Sequence, residues 1–218
     1  MLKTNLSVLM AERGMKIADL HEKTNISKTT LMALAENSGK GVQFDTVDKL
    51  CVFFGITPKE FFVYSPYIFS YELLEDEDYT LKTLGVTIKN KYYIKTFYLT
   101  FYLRSGDSYD FPLSDDSYDL WLSVDLEQTD SYSDEEFFSI IKDLPVTFET
   151  DFINNVMKFA KEELNNKLKD GLEVSVMANN GRINKIINKN EKILFDMFTY
   201  NSLQDNKNNF RKMEDIIL

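Results

Sequence analysis

Residues 16–36 constrain the fold more than any other part of the chain, because apolar residues repeat at helical spacing on both sides of a short polar break. The predicted core positions of this stretch are Leu20, Ile26, Leu31 and Leu34. Ser27 follows the break, and its hydroxyl can cap a free amide at the start of a helix. Asn25 lies in the break, and asparagine tolerates positive φ better than any residue except glycine. The pattern predicts two helices joined by a tight turn.

The second of these helices is predicted to carry an outward face. Once Leu31 and Leu34 point into the core, the repeat of 3.6 residues directs the side chains between them outward. These outward residues are Lys28, Thr29, Met32 and Ala33. An outward helix face of this kind is what enters the major groove of DNA. The alternative is a helix surface without a partner.

The flanking sequence predicts further helices on both sides. Asn5 precedes an apolar stripe that ends at Gly14, and Phe44 begins another stripe that ends at Gly55. Residues 57–60 combine a capping box with a proline at the first helical position. The N-terminal third of the chain is therefore predicted to contain five helices in order.

With this order of helices, residues 1–64 resemble the Cro/repressor-type (Xre) helix-turn-helix family of bacterial and phage regulators. The resemblance implies an all-α, five-helix, lambda-repressor-like DNA-binding domain and a sequence-specific regulator of transcription. Two positions depart from the family pattern. His21 stands where a small residue is usual, and we expect it to pack beside the second helix. Ile17 stands where many members have a glutamine that bonds phosphate, so one phosphate contact is expected to be missing.

The resemblance places the expected DNA contacts in the second helix and in the loop that follows it. Lysine can bond guanine O6 and N7, and the methyl groups of threonine and alanine can meet the thymine methyl. Loop amides and a loop lysine suit phosphate oxygens. The expected DNA-contacting residues are Ser27, Lys28, Thr29, Thr30, Met32, Ala33, Asn37, Ser38, Lys40 and Gln43.

The net charge of −10 lies almost entirely outside this region. Residues 1–65 contain 8 basic and 7 acidic residues, whereas residues 66–218 contain 17 basic and 28 acidic residues. Phosphate affinity depends on local cations rather than on net charge. The acidity is therefore compatible with DNA binding, and we expect the acidic part to face away from the duplex.

Ser65-Pro66 is the predicted junction between domains 1–65 and 66–218, because proline disfavours helix at the preceding residue. Residues after the junction are rich in aromatic and β-branched types, which favour strands. The predicted strands are Tyr67–Leu73, Leu81–Lys89, Tyr92–Arg104, Tyr109–Leu113 and Tyr118–Glu127. Turn signals occur at Asn90 and at Ser105-Gly106, and the second suits a two-residue hairpin loop. The strands are therefore predicted to form an antiparallel meander.

The remaining chain is predicted to contain helices and strands. The predicted helices are Asp134–Ile141 and Asp151–Asp170, and the predicted strands are Leu172–Met177 and Ile183–Ile187, joined at Asn180-Gly181. Glu191–Tyr200 fits either a helix or a strand, and the apolar residues of Phe210–Ile217 have helical spacing. The C-terminal domain is therefore predicted to be α+β with an antiparallel sheet.

Several function classes find no support in the sequence. One cysteine cannot form a disulfide framework within the chain and suits a reducing cytoplasm, and one histidine and one cysteine cannot supply a structural zinc site. The most apolar stretch, Tyr92–Leu103, is too short to span a bilayer, and no signal peptide is apparent. The acidic runs lack the spacing of an EF-hand, and no catalytic motif is evident. We expect a cytoplasmic protein without enzymatic activity, metal or cofactor.

These expectations combine into a repressor of a phage or other mobile element. Its expected partners are double-stranded operator DNA, a second copy of the chain bound through residues 66–218, and an anti-repressor protein bound to the C-terminal domain. One alternative is a repressor that responds to a small molecule, and another is the antitoxin of a toxin–antitoxin pair. The aromatic strands of Tyr92–Tyr102 fit a core, a dimer interface or a ligand pocket.

Overall fold

The structure is a computed structural model that describes residues 1–75, 81–106, 117–168, 171–188, 190–198 and 212–217. The chain divides into two compact units. The first unit comprises Met1–Ile68 and Asp143–Asp151, and the second comprises Phe69–Lys142 and Phe152–Leu218. The downstream segment of the first unit, Asp143–Asp151, lies within the part of the chain that the sequence assigns to the C-terminal domain.

Short helices dominate the first unit, which we call the helical unit. In chain order its elements are β1 (Leu2–Thr4), α1 (Leu6–Glu12), α2 (Ile17–Thr24), α3 (Lys28–Ala35), α4 (Phe44–Phe54), α5 (Pro58–Phe61) and β2 (Phe62–Tyr64). The two strands pair antiparallel, with Lys3 opposite Val63, and the sequence did not predict them. Gly14 and Gly55 follow the ends of α1 and α4, and their φ of +61° and +66° is the left-handed conformation that is typical just after a helix.

The core of the first unit lies between these helices. Its buried apolar residues are Leu6, Leu9, Met10, Leu20, Ile26, Leu31, Leu34, Val47, Leu50, Cys51, Phe54 and Phe61. All four core positions predicted for residues 16–36 are among them, so that prediction is confirmed. Cys51 packs as a small apolar residue, and burial raises the pKa of its thiol.

Strands dominate the rest of the chain, together with two helices. The elements are β3 (Ile68–Leu74), β4 (Thr83–Lys89), β5 (Ile94–Ser105), β6 (Leu120–Leu126), α6 (Asp134–Lys142), α7 (Val146–Lys167), β7 (Glu173–Ala178), β8 (Gly181–Ile186), β9 (Lys192–Met197) and β10 (Lys212–Ile217). The first residues of α7 belong to the downstream segment of the first unit.

That downstream segment completes the packing of the first unit. The Thr147 hydroxyl donates a hydrogen bond to Oδ1 of Asn5 at 3.0 Å. Lys3 is ion-paired with Asp151, and its Nζ lies 4.8 Å from the centre of the Phe148 ring. Phe148 is buried, and burial also lowers the pKa of Lys3. A segment from the second half of the chain therefore forms part of the helical unit.

The sheet of the second unit has the strand order β10-β9-β6-β5-β4-β3, with β7 pairing with β5 and with β8. The pairs β4–β5 and β5–β6 are antiparallel, as the predicted meander requires. However, β6 and β9 pair in parallel, with Leu120 beside Ile193, and β5 also pairs in parallel with β7, at Arg104 and Met177. The prediction of an antiparallel sheet is therefore wrong for these two pairs. All seven residues of β6 are buried, which is typical of a strand covered on both faces.

Aromatic side chains fill the core between the sheet and the helices of the second unit. Phe97, Leu99 and Phe101 alternate along β5 and are buried. The Phe97 ring lies 5.0 Å from the Phe137 ring of α6, and the Phe137 ring lies 6.1 Å from the Phe152 ring of α7. This part of the aromatic stretch Tyr92–Tyr102 therefore forms core.

Two predicted turns are confirmed and one is wrong. The β4–β5 connection contains Asn90, and Gly181 pairs with Ala178 across the β7–β8 turn with φ of +112°. In contrast, Ser105 pairs with Leu120, so residues 106–119 connect β5 to β6 instead of a two-residue loop. The predicted strand Tyr109–Leu113 lies outside the described residues.

Other differences concern where helices begin and which segments are helical. The helix predicted from Asp151 begins at Val146, because the Pro145 carbonyl accepts the first helical bonds from the amides of Phe148 and Glu149. The ambiguous segment Glu191–Tyr200 contains strand β9. The helical spacing in Phe210–Ile217 was misleading, because β10 pairs with β9 along its length.

Candidate nucleic-acid interface

The turn between α2 and α3 is closed by bonds from backbone and side chains. Asn25 has φ of +59°, and its amide donates to the His21 carbonyl at 2.9 Å, as its position in the sequence predicts. The Thr24 hydroxyl donates to the Leu20 carbonyl at 2.6 Å and accepts from the Ile26 amide at 3.3 Å. These bonds determine the direction in which α3 leaves the turn.

His21 also belongs to this turn. Its Nδ1 lies 2.7 Å from the carbonyl oxygen of Ile26. A carbonyl oxygen only accepts hydrogen bonds, so Nδ1 must carry the hydrogen. The half-buried ring thus joins α2 to the residue just before α3. This hydrogen bond holds His21 beside the start of α3.

The first turn of α3 is capped as predicted. The Ser27 hydroxyl oxygen accepts from the Thr30 amide at 3.1 Å and lies 2.8 Å from the Thr30 hydroxyl oxygen. A side-chain cap of this kind satisfies one of the free amides at a helix start. Both hydroxyl groups are therefore held at the beginning of the helix.

The outward face of α3 combines three kinds of side chain. Lys28 supplies a cation, Thr29 a hydroxyl and a methyl group, and Met32 an apolar side chain that is 48% exposed. Ala33 and Thr30 are half-buried on the flanks of this face. Such a face offers a hydrogen-bond donor for base edges and methyl groups for thymine.

A groove runs between α3 and the start of α4. It brings together predicted residues from both elements, among them Ser27, Thr29, Thr30, Ala33 and Gln43. Thr46 and Lys49 also line the groove, and neither is among the predicted DNA-contacting residues. The Lys49 Nζ lies 2.7 Å from Oδ2 of Asp45, four residues earlier, and such a pair is typical of a solvated helix surface. Only the packing of α4 beside α3 places this lysine at the groove.

The remaining predicted residues lie in or near the loop after α3, where some bond within the protein and Lys40 is exposed. The backbone amide of Ser38 donates to the Ala33 carbonyl at 3.0 Å, so this amide is already used within the protein. Lys40 is exposed and lies on the wall of a second cleft beside β1. Asn37 has φ of +52°, and its side-chain amide bonds the backbone of Thr4. Asn37 therefore has a structural role that the sequence did not suggest.

A comparison with protein-family models matches residues 5–67 to the Cro/C1-type helix-turn-helix DNA-binding domain. Residues 5–67 are a Cro/C1-type helix-turn-helix DNA-binding domain. This domain supports a role as a DNA-binding regulator of transcription, with DNA as a partner. Neither the comparison with curated proteins nor the comparison with solved structures finds a match.

Beyond the Cro/C1-type domain, the described residues offer little that resembles another kind of site. Among them, no group of three or more histidine, cysteine, aspartate or glutamate side chains could hold a metal ion. In the same parts of the chain, no helix is both long enough and apolar enough to cross a membrane. The outward face of α3, the adjoining groove and Lys40 thus form the candidate nucleic-acid interface.

Proposed function

We propose that this Cro/C1-type protein is a cytoplasmic repressor of a phage or other mobile element that recognises an operator through α3. The observation that carries the proposal is the outward face of α3. Lys28, Thr29 and Met32 lie side by side there, next to a groove that Gln43 and Lys49 border. A cation, a hydroxyl and an apolar group in this arrangement can distinguish base pairs in the major groove.

The contacts divide into those that read bases and those that hold the backbone. Lys28 would bond guanine O6 or N7, and Thr29, Met32 and Ala33 would meet thymine methyl groups. Lys40 would neutralise a phosphate, because it is exposed on the loop after α3. Gln43 and Ser38 are exposed next to these elements and would contribute sugar or phosphate contacts. Ser27 and Thr30 already bond each other and would mainly hold the helix in position.

Selection of DNA by the full-length protein tests this proposal directly. Several rounds of binding to a randomised duplex pool, followed by sequencing, should enrich one short motif. A promoter that overlaps the motif should lose activity when the protein is added to purified transcription components. If the pool remains random while the protein still binds DNA, the proposal of sequence-specific repression is wrong.

A dimer through residues 66–218 would let two copies of α3 occupy half-sites one helical turn apart. The selected motif should then be an inverted repeat with that spacing. Sedimentation of the full-length chain should show two copies at micromolar concentration. A monomer that binds an undivided motif with full affinity would exclude this assembly.

The acidic C-terminal region would receive the inducing signal from an anti-repressor protein. Residues 66–218 carry 11 more acidic than basic residues, and opposite charge on a partner speeds association. Such a partner releases DNA only if it binds the DNA-free form more tightly than the DNA-bound form. A pull-down from induced cells with the full-length chain should recover this protein, and its addition should dissociate the operator complex without cleavage.

Two outcomes of that experiment would favour the alternatives. Release of DNA by a metabolite fraction free of protein would support a repressor that responds to a small molecule. Recovery of a neighbouring gene product that is toxic by itself would support an antitoxin. Either outcome would replace the anti-repressor without affecting operator recognition by α3.

A further inference from the structure

The turn between β4 and β5 concentrates basic and aromatic side chains within an otherwise acidic region. We call Lys89–Ile94 the hairpin tip. Lys89 and Lys91 are exposed, Tyr92 is 87% exposed and Ile94 is 73% exposed. The alternation of β5 buries Phe97, Leu99 and Phe101, but it does not bury the residues of the tip. Large apolar side chains grouped beside cations on a surface are typical of an interaction site.

The hairpin tip is held in one shape. The Asn90 amide donates to the Tyr93 carbonyl at 2.8 Å, and the Tyr92 amide donates to Oδ1 of Asn90 at 2.8 Å. The Tyr93 hydroxyl donates to Glu136 of α6 at 2.9 Å, and Lys95 bonds the other oxygen of Glu136 at 2.7 Å. A loop that is already ordered loses little conformational freedom when it binds a partner.

Charge at the hairpin tip remains positive after these bonds. Glu136 neutralises Lys95, whereas Lys91 extends over the Tyr92 ring with its Nζ 5.0 Å from the ring centre. Lys89 lies opposite Ile94 across the hairpin. Two ammonium groups and an exposed phenol ring thus project from the same turn, and this chemistry suits an anionic backbone that also offers apolar sugar surface.

Strand directions locate the hairpin tip within the sheet. Glu75, just after β3, is ion-paired with Lys82, just before β4, at 2.6 Å. The two strands therefore run in opposite directions, and Lys89 lies at the end of the sheet where β3 begins. That strand begins at Ile68, the residue immediately after the Cro/C1-type domain. The chain thus enters the sheet at the end that carries the tip.

We propose that the hairpin tip is a second DNA-contacting element of this protein. Lys89 and Lys91 bind phosphates of the duplex, and the Tyr92 ring packs on deoxyribose next to them. The proposal rests on the function proposed above, because the duplex is the one that α3 holds. DNA is favoured over an acidic protein or a membrane surface because it is the ligand of the chain and carries a dense, regular negative charge.

Salt dependence of operator binding tests the hairpin tip in the full-length protein. Lys89→Gln with Lys91→Gln should lower the slope of log K against log salt by about two, because each phosphate contact contributes about one. The base preferences of the selected motif should remain unchanged. Tyr92→Ala should weaken binding about fivefold at every salt concentration, with the wild-type slope.

The control is Lys161→Gln with Lys167→Gln, which removes the same charge from exposed positions of α7. It should retain the wild-type slope. A wild-type slope in the tip variant, with Lys28→Ala still defective, would overturn the role of the tip and leave the proposed function intact. Loss of vesicle binding in the tip variant, using phosphatidylglycerol vesicles and with an unchanged DNA slope, would also overturn it and assign the tip to membranes. A wild-type protein that selects no motif would instead contradict the proposed function.

Discussion

The side-chain amide of Asn37 forms two hydrogen bonds with the backbone of Thr4, which lies in strand β1. Its Oδ1 accepts from the Thr4 amide at 2.7 Å, and its Nδ2 donates to the Thr4 carbonyl at 3.2 Å. The Thr4 hydroxyl in turn donates to the carbonyl of Leu34 in α3 at 2.6 Å. These bonds tie the end of α3 to the N-terminal strand β1.

Asn37→Ala should lower the free energy of unfolding by about 2–4 kcal/mol. The variant loses both bonds and leaves the amide and carbonyl of Thr4 without these partners. Alanine also lacks the polar side chain that helps asparagine adopt positive φ. Urea denaturation measures the effect. Asn37→Gly separates the causes, because glycine accepts the backbone conformation and should destabilise less. Unchanged stability combined with lost operator affinity would show that Asn37 contacts DNA.

Lys28→Ala should weaken binding to the selected operator and relax discrimination at one base pair. The lost contact to guanine is worth about 1–3 kcal/mol, which is roughly a five- to 150-fold change in affinity. Gel shifts with a panel of single-base operator variants measure both quantities. Lys23→Ala removes an exposed charge from α2 and serves as the control. Retention of full selectivity by Lys28→Ala would mean that another face of α3 enters the groove.

Lys40→Ala should weaken binding to all duplex sequences equally. A phosphate contact carries no sequence information, and its loss should reduce the salt slope by about one. Fluorescence anisotropy with operator and with unrelated DNA over a range of salt concentrations tests this. Lys59→Ala, on an exposed position of α5, should not change the slope. A change of base preference in Lys40→Ala would assign the loop to the bases.

Phe148→Ala should destabilise the helical unit even though the residue lies far along the chain. Phe148 is only 5% exposed, and Lys3 packs over its ring, so its removal should cost about 3–5 kcal/mol. Hydrogen exchange of the β1 and α1 amides should become faster. Val146→Ala, at a position that is 59% exposed, should have almost no effect. Equal protection in both variants would show that the helical unit does not depend on this segment.

Glu136→Gln should alter how stability depends on pH at the acidic end. Hydrogen bonds from Lys95 and then from Tyr93 lower the pKa of Glu136 below its ordinary value of 4.5. The charged form therefore stabilises the folded state above about pH 4.5, and this contribution is lost as pH falls through the lowered pKa. Thermal unfolding from about pH 3 to pH 7 should show a smaller loss in Glu136→Gln. Glu135→Gln, on the exposed side of α6, should retain the wild-type profile.

Local features of the fold could be predicted because short-range physics determines them. The burial of Leu31 and Leu34 follows from helical spacing, the turn at Asn25 from its tolerance of positive φ, and the start of α3 from the Ser27 cap. Each depends on residues within one or two helical turns. The same holds for the β7–β8 turn at Gly181.

Features that depend on distant partners could not be predicted. The parallel pairing of β6 with β9 joins strands separated by more than sixty residues. The spacing of apolar residues within a strand does not indicate which distant strand it will pair with. The apolar spacing of β10 predicts a helix, but the segment forms a strand because it pairs with β9. Lys49 lines the candidate interface only because α4 packs beside α3. Asn37 bonds Thr4 only because strand β1 lies next to the end of α3.

The segment Asp143–Asp151 also has a consequence for the order of events during synthesis. The helical unit includes residues up to 151, which are added about 80 residues after Ile68. At roughly 5–20 residues per second, a ribosome takes roughly 4–16 s to add them. During that interval the nascent chain carries α3 without Phe148 and Asp151 in place. The helix α3 is therefore synthesised early, whereas the last residues that pack into its unit are added much later.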